Sequence, residues 1–68
     1  MTFYLFIPRR GQFEVTGISR LTGPLRVQLS QYSAKHGEDV REWHTYSDLA
    51  LSVSEDARFR KAYAKFFN

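Results

Sequence analysis

The sequence predicts an α+β domain: a four- to five-stranded, mostly antiparallel sheet with one C-terminal helix packed on a face. Three observations lead there. Residues that suit strands fill the first two thirds of the chain in short runs. Glycine- and proline-bearing turn sequences separate the early runs. Helical spacing of apolar residues is clear only at the end, from Glu55 to Phe67. With 68 residues there is room for a single domain, 1–68, and no more.

Phe3-Tyr4-Leu5-Phe6-Ile7 reads as a strand apolar on both faces, stopped by Pro8, which has no N–H to give a ladder. Pro8-Arg9-Arg10-Gly11 reads as a turn, because proline presets one φ and glycine accepts a positive one. A second strand spans about 12–21. Phe13 and Val15 sit at strand spacing, but Ile18 falls out of phase, which predicts a bulge or bend at Gly17. Thr22-Gly23-Pro24 is the next turn.

The third strand, 25–32, is the cleanest. Leu25, Val27 and Leu29 share one face, and Arg26, Gln28 and Ser30 the other. After a loop at Ser33–Glu38, the run 40–46 (VREWHTY) forms a fourth strand, paired as an antiparallel hairpin with the third. Leu49–Val53 reads either as a fifth strand or as the first turns of a helix. Ser52 with Glu55 three residues on matches a capping box, so the chain is expected to break there and a helix to run over about 55–67.

On that helix, at roughly 100° per residue, Phe59, Ala62, Tyr63, Phe66 and Phe67 form one stripe. Arg58, Lys61 and Lys65 gather on the opposite side, on successive turns about 5 Å apart along the axis. Arg60 lies at the stripe edge, placed to snorkel. The expected core is Phe3, Leu5, Ile7, Val15, Ile18, Leu25, Val27, Leu29, Val40, Leu51, Phe59, Tyr63 and Phe66. A barrel with a terminal helix is the alternative architecture.

Composition then narrows the partners. Cysteine is absent, which removes disulfides and thiolate zinc frameworks as means of stabilising so small a chain. Six Phe, four Tyr and one Trp supply volume instead, and self-association, as a homodimer, is the expected way to complete the core. Ten Lys and Arg against seven Asp and Glu give +3. That balance leans towards polyanions and excludes an acidic DNA mimic. The apolar run Phe3–Ile7 is too short for a signal-peptide core or a membrane span, so the expectation is a cytoplasmic protein without membrane contact.

The candidate contacts follow from the cations and the rings. Arg9 and Arg10 in their turn, and Arg58, Lys61 and Lys65 on the helix, are spaced to follow phosphates. Arg41 and Trp43 share a strand face, where a base would stack beside a cation. The competing reading puts Trp43 in the core with Arg41 at its rim, the usual fate of a small domain's single Trp. Val40-Arg41-Glu42-Trp43, followed by Leu49–Ser52 and a helix, faintly resembles part of the single-strand-binding transcriptional coactivator family, whose fold is a curved four-stranded sheet and one helix. The segment that separates those strands in that family is missing here, and extra strands precede, so no membership is assigned.

No catalytic signature stands out. His44, Ser47 and Asp48 lack a nucleophile-elbow setting, and His36 and His44 follow no zinc spacing. No glycine-rich phosphate loop is present, and no cofactor or metal is expected. Glu42, His44 and Tyr46 would share one face of a regular strand, the trio a metal-independent ribonuclease would use. The leading expectation is therefore a non-enzymatic nucleic-acid-binding accessory or regulatory protein. The alternative is a module that binds one protein partner through exposed aromatics and a sheet edge.

Overall fold

In the computed structural model, which describes residues 2–20 and 23–67, four strands follow one another as an antiparallel meander. They are β1 (Tyr4–Ile7), β2 (Gly11–Ser19), β3 (Arg26–Ser33) and β4 (Glu38–Thr45), neighbours in sheet order as in sequence. A 3-10 turn (Tyr46–Asp48), the helix α1 (Val53–Ala62) and a second 3-10 turn (Ala64–Phe66) complete the chain. The α+β class and the antiparallel sheet are as the sequence predicts.

Each local device has a visible cause. The turn after β1 closes with Arg10 N–H on the Ile7 carbonyl at 3.0 Å. Its proline leads into Arg9 at φ 70° and Gly11 at φ 94°, so a non-glycine residue holds one of the two left-handed positions. The predicted bulge lies in β2, where the pairing steps from Val15–Leu29 to Gly17–Gln28 and leaves Thr16 unmatched. Thr16 Oγ1 donates to Gln28 Oε1 at 3.0 Å, which satisfies the extra residue. Leu21 and Thr22, in the expected end of this strand and the turn after it, lie outside the described residues.

Of the two readings of Leu49–Val53, the fifth strand does not form, and Val53 alone belongs to the helix. Leu49 through Ser52 is an irregular crossing that carries the chain from β4, at one edge of the sheet, to a helix beside β1, at the other. Leu49 and Leu51 are half-buried along it, packed on the core, so these apolar residues anchor a connection and pair with no strand.

Helix α1 begins earlier and ends sooner than its spacing predicts. Ser52 is the N-cap, its Oγ accepting the Glu55 N–H at 3.2 Å. Only half of the capping box forms, because the Glu55 carboxylate turns to the Phe6 N–H of β1 instead. After Ala62 the helix breaks at Tyr63, φ −119° and ψ 41°. The following 3-10 turn rotates Phe67, not Phe66, onto the buried rings: Phe67 lies 5.3 Å from Tyr46 and 5.9 Å from Phe59.

One face of the sheet carries the core. Phe3, Leu5, Ile7, Phe13, Val27, Leu29, Tyr46 and Phe59 are buried. Phe59 is at its centre, with ring centroids of Tyr63, Tyr46, Phe3 and Phe67 between 4.7 and 5.9 Å away. Phe13, which strand spacing puts on the face of Val15, and Tyr46 are buried although the expected core left them out. Val15, Ile18, Leu25, Leu51 and Tyr63 are partly buried against it. Val40 is corrected outright: it is 36% exposed, because β4 runs beyond the reach of the helix.

Candidate nucleic-acid interface

The cross-strand register sorts every strand residue onto one of two faces, since directly opposed residues point the same way. The face away from the helix carries Tyr4 and Phe6 from β1, Gly17 from β2, Arg26, Gln28, Ser30 and Tyr32 from β3, and Asp39, Arg41 and Trp43 from β4. Four of its rings stand in solvent: Tyr4 is 47% exposed, Phe6 54%, Tyr32 63% and Trp43 52%. These numbers decide between the two readings of Trp43. It is not a core residue, and Arg41 is its neighbour on an open surface.

Trp43 has a specific seat. A Cβ placed on Gly17 would fall 3.2 Å from Trp43 Cη2, so the far end of the indole rests on that glycine. Gly17 lies two strands away, on the far side of Gln28, and strands are spaced about 4.8 Å apart. The indole therefore reaches across the Gln28 position towards Gly17, with about half of its surface in water. The bulge and the missing side chain at Gly17 make room for it. Periodicity alone misses this, although the phase break at Gly17 marks the place.

The cations divide by whether an acid holds them. Arg10 stacks over Phe13 at 5.3 Å and bonds Glu42 at 3.3 Å. Arg58 bonds Glu55 at 2.7 Å, donates to the Tyr4 carbonyl at 3.3 Å and covers the Phe3 ring at 4.8 Å. Arg60 snorkels as expected: its Nε is 3.0 Å from Asp56, and its guanidinium is 4.5 Å from the Phe67 centroid. Among the described residues, Arg9, Arg20, Arg26, Lys35, Arg41, Lys61 and Lys65 have no acidic partner.

The structure does not assemble the predicted contacts into one patch. Lys65 leaves the helix with the 3-10 turn, and Arg58 is turned to β1, so only Lys61 remains where a three-residue ridge was expected. Arg9 occupies the turn between β1 and β2. Arg41 and Trp43 are together on the helix-free face, and Arg26 joins them there, a residue that sequence reasoning placed on that strand face without assigning it a role. Lys65 borders the same corner from the side. With Ala62 and Phe66 it lines one wall of a depression whose other wall is Thr16 and Gly17. Arg20 donates to the Phe66 carbonyl and ties this turn down.

The remaining half of the open face has another character. Tyr4 and Tyr32 flank a depression floored by Ser30, with Glu14 and Asp39 at its sides. On the core side of β4, Glu42 accepts from Arg10 and contacts His44 Nε2 at 3.2 Å. His44 and then Arg10 hold the Glu42 carboxyl below its ordinary range. Tyr46 is not the third member of that group. It begins the 3-10 turn, is buried, and donates its hydroxyl to Asp56; burial first, then Asp56, pushes its phenol well up. Among the described residues no three His, Asp or Glu side chains are grouped to hold a metal ion, and no helix is long and apolar enough to cross a membrane. Comparison with protein-family models, curated proteins and solved structures finds no match to this chain.

Proposed function

We propose that the protein is a non-enzymatic module that binds single-stranded nucleic acid on the helix-free face of its sheet. The observation that carries this reading is the indole of Trp43, which reaches to Gly17, stays half exposed and shares its surface with Arg41 and Arg26. A base stacks on an aromatic face whatever its sequence, and a flanking guanidinium meets the phosphates. The overall charge of +3 favours the encounter.

The test uses the protein's one tryptophan as its own reporter. Titration with a homopolymeric single strand at low salt quenches Trp43 emission. Each phosphate that the protein neutralises adds about 0.7 to the log–log salt slope, so Arg41→Ala flattens it by about that amount. Trp43→Ala lowers affinity by about 1–3 kcal/mol, the worth of one stacked base. The exposed ring adds little to the fold, so the variant stays folded. Unquenched fluorescence and no mobility shift at low salt refute the reading.

A second reading has its own support. On the other half of the open face, the depression between Tyr4 and Tyr32 is lined by Glu14 and Asp39 and by no cation. That half repels phosphate and suits a protein partner, whose recovery in a pull-down abolished by Tyr32→Ala but not by Arg41→Ala identifies it. Ribonuclease activity has no comparable support, since Tyr46 faces the core and not His44.

A further inference from the structure

The two edges of the sheet are finished differently. At β1 the helix supplies what a neighbouring strand would: Glu55 accepts the Phe6 N–H at 2.7 Å and Arg58 donates to the Tyr4 carbonyl at 3.3 Å. At β4 no element of the described chain lies alongside. Residues Glu38–Trp43 are exposed on both faces. An uncovered strand of eight residues, carrying an exposed Val and Trp, is a template for pairing. β4 has no bulge, proline or lysine to blunt it; charges guard it instead, Asp39 and Arg41 on one face and Glu38 and Glu42 on the other, so a partner must match them.

We infer that β4 pairs antiparallel with β4 of a second copy, about a two-fold axis through Val40 and perpendicular to the sheet. The charge pattern of the strand selects that partner and that register. Asp39 and Arg41 flank Val40 and both point to the helix-free face. A two-fold through Val40 sets Asp39 opposite Arg41 of the partner subunit, and Arg41 opposite Asp39 of the partner subunit, two matched pairs from one symmetry operation. On the other face the two Val40 side chains meet, covering the apolar residue that the helix leaves exposed. The same operation sets Glu38 opposite Glu42 of the partner subunit twice, a like-charge contact that Arg10, 3.3 Å from Glu42, offsets. The product is one eight-stranded sheet with both Trp43 platforms on the same side. The pairing shares Arg41 with the nucleic-acid reading but does not depend on that reading, and it is tested without any ligand.

Sedimentation of the whole chain at about 100 µM and low salt measures it, because dimer population depends on protomer concentration. The wild type is expected at twice its 8.0 kDa mass. Asp39→Arg and Arg41→Asp each place like charges in both symmetric contacts and are expected to raise the dimer dissociation constant about tenfold or more. The double exchange, D39R with R41D, restores the pairing and the dimer. Unchanged far-UV circular dichroism in all variants shows that the fold is kept. A monomeric wild type overturns the proposal, as does a dimer indifferent to either single reversal or a double exchange that stays monomeric.

Discussion

Replacing Glu55 with alanine removes the group that closes the β1 edge, and its effect follows from the bonds that its carboxylate makes. That carboxylate accepts the Phe6 N–H at 2.7 Å, binds Arg58 at 2.7 Å and is only 15% exposed. A hydrogen bond to a charged group contributes about 1.5–3 kcal/mol, and Phe6 N–H at an edge regains water, so the low end applies: about 1.5 kcal/mol. For a chain this short the urea slope is about 1 kcal/mol per M, so the midpoint falls by about 1.5 M. Glu55→Gln keeps an acceptor and loses less. The backbone amide first, and Arg58 after it, hold the Glu55 carboxyl below 4.5. A depressed folded value stabilises above the unfolded one, and that contribution is lost as pH falls through the folded value. The gap between Glu55→Ala and wild type must therefore narrow in acid. Urea unfolding followed by circular dichroism at neutral and acid pH, with exchange of the Phe6 amide, reads both effects. An Ala variant as stable as wild type at pH 7, or a gap that widens in acid, refutes the edge-closing role.

Phe59→Leu keeps an apolar side chain but gives up its packing on the surrounding rings, and should cost about 2 kcal/mol in urea unfolding, against about 3–5 for Phe59→Ala. The alanine variant comes close to the whole stability of a domain this size and should be largely unfolded at 37 °C. Arg9→Gly relieves a left-handed backbone and should raise stability by about 1 kcal/mol in a thermal melt. Glu42, Glu55 and Asp56 all ionise below their ordinary values, Asp56 through the Tyr46 hydroxyl and then Arg60. Wild-type stability should hold at neutral pH and fall from about pH 4.5 downward, and Asp56→Asn should make that fall shallower.

Much of this fold was legible because its determinants are local. The turn at Pro8–Gly11, the phase break at Gly17, the alternation of Leu25, Val27 and Leu29, and the cap at Ser52 each act within a few residues. The misreadings all involve which element covers which. Val40 and Trp43 look like core from their chemistry, and only the position of α1 beside β1 leaves β4 bare. Phe66 and Phe67 are equivalent on a helical wheel until the break at Tyr63 selects one. Leu49 and Leu51 suit a strand, but the chain needs them to cross the molecule. For the candidate interface, Arg41 beside Trp43 follows from strand alternation. Helical spacing keeps Arg58 on the ridge, because what turns it away lies 54 positions off at Tyr4 and on its own helix at Glu55.

The unmatched Thr16 carries a consequence for how this chain tolerates changes in length. Losing a residue from a strand ordinarily inverts every side chain beyond the deletion, exchanging interior for exterior. Here Val15 and Ile18 both face inward with two residues between them, so excising Thr16 leaves one residue between them and an unbroken alternation. The middle of a paired strand thus becomes a place where a deletion keeps the inward pattern. Its effect would fall instead on the local coiling of the sheet and on the shelf beneath Trp43.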